Sequence, residues 1–207
     1  FMAELEQSVC VSFLDRRPSR EASREEIESF HTPEYIDLVI KLSETGAGYL
    51  DGGDTPAYPG VYEAAAHTVG GTLNALQSVL EGAVPRAFNP IGGLHHAARD
   101  TAAGFCVFND AAVAIAIALD RFGLKKVAYV DIDAHHGDGV FYGFEDDPRV
   151  IFADVHEDGR FLYPGTGNRS EIGKGEAVGT KLNIPMSPGS DDSAFLAIWD
   201  EVEAHIA

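Results

Sequence analysis

The chain has 207 residues, 45% of them hydrophobic and 23% charged, with a formal net charge of −18; this describes one globular domain, residues 1–207, with a sizeable core. Such a charge argues against direct binding to nucleic-acid phosphates. It suits a cationic substrate, such as a lysine-rich tail or a polyamine, and equally suits simple solubility in an acidic proteome.

Taken in chain order, the sequence alternates helices and strands. Ser23 and Glu26 form a capping-box pattern, and Thr32-Pro33-Glu34 starts a second helix with proline at its first position. That helix is expected to run to about Glu44, with Ile36, Val39 and Ile40 inward, before Gly46-Ala47-Gly48 stops it. Val61 to Leu80 reads as a long helix with Val69, Leu73, Leu76 and Leu80 inward, closed by Gly82. Ala87-Phe88 is expected in a short strand leading into a Gly-rich loop. Asn109 caps an alanine-rich buried helix ending near Phe122-Gly123. Val127–Ile132 and Val150–Ala153 are the clearest strands, and a last amphipathic helix starts near Ser190-Asp191-Asp192, with Phe195, Trp199, Val202 and Ile206 on one side. This order predicts a mostly parallel sheet covered by helices on both faces, with ligands bound beyond the carboxyl ends of its strands.

The chemistry concentrates in Asp131-Ile132-Asp133-Ala134-His135-His136-Gly137-Asp138. Three carboxylates directly after an apolar strand are costly to bury without partners. Asp133 and His135, spaced i and i+2, point the same way at a strand end and offer one oxygen and one nitrogen ligand, a set suited to zinc or a similar divalent ion. Upstream, Gly92-Gly93-Leu94-His95-His96 places adjacent histidines in a loop. Alone they could be metal ligands or proton shuttles; beside the Asp/His cluster they look like general acid/base partners. Asp131 and Asp138 are then free to orient the two imidazoles from behind.

These segments, with Gly104-Phe105-Cys106-Val107-Phe108-Asn109-Asp110 and Tyr163-Pro164-Gly165-Thr166-Gly167, resemble the histone deacetylase family, including the bacterial acetoin-utilisation and acetylpolyamine deacylases. The resemblance runs from about Arg17 to the end of the chain. It implies an α/β, three-layer arginase/deacetylase-like fold, incomplete at both ends. It also implies zinc-dependent hydrolysis of an acetyl-lysine or acetylpolyamine amide, with Fe2+ as an alternative metal. In an intact relative, Asp133, His135 and a later aspartate would hold the ion. His96, backed by Asp138, would move the proton, and His95, backed by Asp131, would tune the charge. K+ is implied at the backbone carbonyls of Asp131, Asp133, His135 and Val155 with the Asp154 side chain. Phe105 and Tyr163 resemble the walls of an acyl-lysine tunnel behind Gly104, though aromatic residues more often pack in cores. Asp54 resembles a rim aspartate that grips substrate amides, or is an ordinary turn former.

The third ligand and the oxyanion tyrosine of that pattern do not occur in the sequence, nor does the family's first strand. The expectation is therefore a fragment cut at both ends, with impaired catalysis. A non-catalytic acyl-lysine-binding or assembly module and an arginase-like binuclear manganese ureohydrolase are the competing readings. Sheet edges left by missing strands predict a homodimer that covers them. No run approaches the roughly 20 apolar residues that cross a membrane, and no secretion signal opens the chain. With Cys10 and Cys106 its only cysteines, no disulfide framework exists and a reduced, cytoplasmic setting is expected.

Overall fold

The computed structural model describes residues 14–207; Cys10 lies outside them. Helix α1 is short, Arg24–Ile27, and carries the full capping box, with Ser23 Oγ accepting from Glu26 N and Glu26 reaching back to Ser23 N. Helix α2, Pro33–Thr45, is capped by Thr32 and ends at Gly46 in a left-handed conformation, φ 62°. Helix α3, Val61–Leu80, buries Val61, Ala65, Ala66, Val69 and Leu73. Leu76 and Leu80 are only half-buried. Helix α4, Asp110–Asp120, starts at Asn109, whose side chain accepts from Ala112 N, and Ala112 to Leu119 are all buried. Alanine dominates there because α4 lies between other helices and the sheet, where larger side chains would not fit.

Strand β1, Val127–Asp131, pairs in parallel with β2, Val150–Glu157, which pairs in parallel with β3, Lys181–Met186. Between β1 and β2 lies helix α5, Asp138–Gly143, and the last helix, α6, is Asp192–Ile206 with Asp191 as its cap. One core joins helices α2, α3 and α4 to Val150 and Phe152. On the other face Ala153, Val155 and Ile184 meet Val202, Phe195, Trp199 and Ile206 of α6. The sheet is thus parallel and covered on both sides. No helix among the described residues is long and apolar enough to cross a membrane.

The structure corrects one element and extends another. Ala87-Phe88 forms no strand with any described residue, and Phe88 is exposed. The segment is held across α3 instead, by Asn89 Nδ2 on Thr68 O (3.1 Å) and Thr72 Oγ1 (2.8 Å). Strand β2 runs past Ala153 to Glu157, which puts Asp154-Val155-His156 at its carboxyl end.

Strand β3 was not anticipated, because Lys181 and Asn183 break its apolar pattern. Both are buried. The Lys181 ammonium donates to Asp147 O (3.1 Å), Val150 O (2.8 Å) and Thr180 Oγ1 (2.7 Å), tying the start of β3 to that of β2. Burial pushes its pKa down to about 8.

Candidate active site

The site is assembled at the carboxyl end of β1. Asp131, its last residue, accepts Asp133 N on Oδ1 at 3.0 Å, and Asp133 Oδ1 accepts His135 N at 2.8 Å. These consecutive side-chain-to-backbone turns bend the chain so that Asp133 and His135 face one open cavity. The cavity, of about 450 Å³, is lined by Asp54, Gly93, His95, His96, Gly104, Phe105, Cys106, Asp133, His135 and Tyr163.

The histidine loop is fixed from below by α4. The Asp110 carboxylate accepts Gly93 N (3.0 Å), Leu94 N (2.8 Å) and the Thr72 hydroxyl. Asn109 Nδ2 donates to His95 O (3.1 Å) and Ala97 O (3.0 Å). Helix α5 presses on the same loop at Gly139, where an added Cβ would lie 2.4 Å from Ala97 O and 2.5 Å from His95 O; only glycine allows that approach. Behind Asn109 sits His31, whose Nε2 accepts Asn109 N at 2.9 Å and whose Nδ1 faces Arg99 O at 3.3 Å.

Both histidines are buried, and each Nδ1 meets a carboxylate: His95 to Asp131 Oδ2 at 2.7 Å, His96 to Asp138 Oδ1 at 2.6 Å. Their Nε2 atoms lie 3.1 Å apart. A carboxylate only accepts, so both Nδ1 atoms carry protons; a hydrogen bond between the two Nε2 atoms then needs one more. Burial alone would lower the His95 pKa, but the Asp131 bond and charge outweigh it and raise it. Asp131 moves the other way: burial is overcome by His95, the Tyr129 hydroxyl and Asp133 N, and its pKa falls.

Asp133 Oδ1 and His135 Nδ1 are 2.9 Å apart and half-exposed to the cavity. Burial of Asp133 is outweighed by bonds from His135, which lower its pKa. Ligand atoms on one tetrahedral ion about 2.0 Å away would be separated by roughly 3.3 Å, so this pair fits two corners of such a site. His95 Nε2 lies 4.0 Å from Asp133 Oδ1, which brings the proton-bearing dyad next to that position. Among the described residues no group of three or more His, Cys, Asp or Glu is arranged to hold a metal.

Beneath the turn, Asp154 Oδ2 accepts Gly137 N at 2.8 Å and Oδ1 meets His156 Nδ1 at 2.7 Å. A Cβ on Gly137 would be 2.6 Å from Asp131 Oδ2 and 3.4 Å from Asp154 Oδ2, so the two carboxylates close on one small space. Burial, aided by the nearby Asp131 charge, pushes Asp154 up to about 6. Val155 follows on the same strand and is buried.

At the cavity mouth Phe105 is 73% exposed and Tyr163 45% exposed, so neither is core packing. The Tyr163 ring stands edge-on to His96, centroids 5.0 Å apart. Gly104 has φ 52°, and a Cβ there would meet His96 Cδ2 at 2.6 Å and Tyr163 Cε1 at 3.2 Å. Asp54 is exposed at the rim. Burial pushes the Cys106 thiol up to about 11, which leaves it protonated and unsuited to act as a nucleophile.

The sequence named His95, His96, Asp131, Asp133, His135 and Asp138, and the fold brings all six together. It did not single out His31, Asp110 as an anchor, or Thr55. Asp110 had a readable signal: a carboxylate directly before nine apolar helical residues needs local donors. His31 had none, since a lone histidine before Thr-Pro looks like any cap region.

A family model described as the histone deacetylase domain matches residues 2–207. The acetoin utilization protein AcuC of Bacillus subtilis is 43% identical over 196 residues, covering 91% of this chain and 50% of that protein. Histone deacetylase 8 of Xenopus laevis is 38% identical over 188 residues, covering 87% and 57%. A crystal structure of an HDAC homolog complexed with SAHA superimposes with a TM-score of 0.86 at 32% identity, covering 95% of this chain and 55% of that one. An HDAC homolog from Aquifex aeolicus gives 0.83 at 33% identity, covering 93% and 54%. The chain thus spans about half the length of these relatives.

Proposed function

The chain belongs to the histone deacetylase family, and from that premise we propose that it carries the proton-handling and metal-anchoring part of a zinc-dependent deacetylase. The substrate class is an acetylated lysine peptide or an acetylpolyamine. The observation that carries this reading is the pair of carboxylate-backed imidazoles, joined through Nε2 and facing the cavity beside Asp133 and His135.

Asp133 and His135 would hold the ion, zinc or Fe2+, with a third ligand from outside the described residues. When bound, a divalent ion supplies Lewis acidity toward water and the amide carbonyl. The chain's own groups move the proton. His96 takes one from the attacking water at Nε2 and returns it to the departing amine, while Asp138 holds its Nδ1 proton and ring orientation. His95, whose hold on a proton Asp131 strengthens, sits beside His96 and favours positive charge next to the carbonyl oxygen as negative charge develops there. Phe105 and Tyr163 flank the acyl-lysine stem, Gly104 gives that stem room, and Asp54 accepts substrate amide protons at the rim.

K+ is proposed beneath the turn, at the carbonyls of Asp131, Asp133, His135 and Val155 and the Asp154 side chain. The converging Asp131 and Asp154 carboxylates support it, since each forms an ion pair only with a histidine among the described residues. A cytoplasmic setting and a homodimer belong to the same proposal; a monomeric scattering profile would count against the dimer.

Zinc titration of the purified chain tests the metal pair. The expected result is one-to-one binding that weakens by more than about a hundredfold in Asp133→Ala and in His135→Ala, because even outer hydrogen-bond partners of a zinc ligand are worth roughly 10- to 100-fold. Binding that ignores both substitutions would remove the metal from this site and leave an acyl-lysine-binding module as the surviving reading.

A further inference from the structure

One residue at the cavity mouth has a backbone conformation its side chain disfavours. Phe105 has φ 66° and is the single non-glycine residue with positive φ among those described. It follows Gly104, and Ala103 and Cys106 exchange backbone hydrogen bonds across the pair, N to O at 3.2 Å and 2.8 Å. Gly104-Phe105 is therefore a two-residue turn with positive φ at both central positions, where Asn or Gly is usual. Such strain persists only when surrounding structure over-determines it.

The over-determining contact is Thr55. It is 3% exposed, and its Oγ1 accepts the Phe105 amide at 3.2 Å. Thr55 is itself held by the rim loop. Asp51 accepts Thr55 N on both oxygens, at 3.0 Å and 2.9 Å, and also accepts Gly53 N at 2.9 Å and Asp54 N at 2.8 Å. Leu50 N bonds back to Thr55 O at 2.8 Å. The Thr55 hydroxyl and these amides outweigh burial and hold the Asp51 carboxyl down to about 2. Asp51 thus fixes where Asp54 stands, and through Thr55 it also fixes where Phe105 stands.

We infer that Thr55 is a positioning residue that locks the aromatic wall Phe105 to the Asp51–Thr55 rim loop and thereby sets which acyl chain the cavity accepts. This rests on the acyl-lysine reading of the site. With the lock in place, Phe105 keeps its position on the cavity lining it shares with Tyr163 and His96, and the width of the passage is fixed. Without it, the turn relaxes toward ordinary φ, the wall swings outward and longer acyl chains enter. A rim occupied by substrate backbone at Asp54 would also tighten the wall, because both hang on the same loop.

Thr55→Val removes the hydroxyl at constant volume, Thr55→Ser keeps it, and Thr55→Ala serves as the hydroxyl-free form should the valine variant not fold. The measurements are amide hydrogen exchange at Phe105 and dissociation constants for an acetyl-lysine and a hexanoyl-lysine peptide. The expected result is Phe105 exchange at least about tenfold faster in the hydroxyl-free form. The acetyl-over-hexanoyl ratio of affinities should fall about five- to tenfold, the worth of one hydrogen bond. Thr55→Ser should follow the wild-type chain in both. Unchanged exchange would overturn the lock, and faster exchange with an unchanged ratio would overturn its control of selectivity. A wild-type chain that binds neither peptide would overturn the acyl-lysine reading itself and the selectivity with it, a failure visible before any variant is made.

Discussion

Replacing Asp110 by alanine is expected to lower stability by about 3 kcal/mol or more, because its buried carboxylate accepts three part-buried hydrogen bonds at once and a hydrogen bond to a charged group is worth roughly 1.5–3 kcal/mol. The donors are Gly93 N, Leu94 N and the Thr72 hydroxyl. The first two belong to the loop that delivers His95 and His96, so the damage is local as well as global. Asp110 also places a negative charge at the first turn of α4, where the aligned peptide dipoles favour it. Asp110→Asn keeps the volume and one acceptor oxygen but turns an NH2 toward a donor, and should lie between the two. Trp199 is the only tryptophan, packed in the α6 cluster, so urea unfolding followed by its fluorescence reads the loss. A change below about 1 kcal/mol, the size of an ordinary single hydrogen bond, would mean that water replaces the carboxylate and that α4 does not hold the loop.

What the sequence disclosed and what it hid divide along a physical line. Helix ends were legible because capping is local: Ser23 with Glu26, Thr32 with Pro33, Asn109 and Asp191 each act within one turn. The catalytic candidates were legible because β1 ends in polar residues that no packing argument accommodates. Strand β3 was not, because Lys181 and Asn183 are polar yet buried, as Asp154 and His156 are in β2. Their partners come from segments distant in sequence, such as Gly137 for Asp154 and Val150 for Lys181. Local periodicity carries no trace of such pairing. The reverse error occurred at Phe88, where an aromatic beside alanine suggested a strand. A strand needs a neighbour, and no strand among the described residues pairs with that segment. The Thr55–Phe105 contact was equally out of reach, since it joins loops 50 residues apart.

His31 supplies the second large effect, and it appears on acidification. Its Nε2 accepts the Asn109 amide, so that nitrogen carries no proton, and Nδ1–H donates to Arg99 O. The ring is 2% exposed, and burial lowers its pKa from 6.5 to about 4. The unfolded chain therefore takes up a proton before the folded one does. Stability from the neutral ring is complete above pH 6.5 and falls as the pH drops toward 4, by about 2 kcal/mol between pH 7.5 and pH 5. Protonation also cancels the acceptor for Asn109 N, and Asn109 holds the carbonyls of His95 and Ala97; acid should loosen the histidine loop along with the fold. His31→Gln can keep an acceptor near Asn109 N while removing the titration. It should cost about 1 kcal/mol at pH 7.5 for imperfect packing. Its stability should then decline less steeply, so that the two curves cross at about pH 6 and the variant is the more stable by about 1 kcal/mol at pH 5. Urea midpoints at pH 7.5, 6 and 5 decide the matter. Parallel declines in both proteins would mean that His31 is not the titrating group and that the acid loss comes from His136, which burial holds down to about 3.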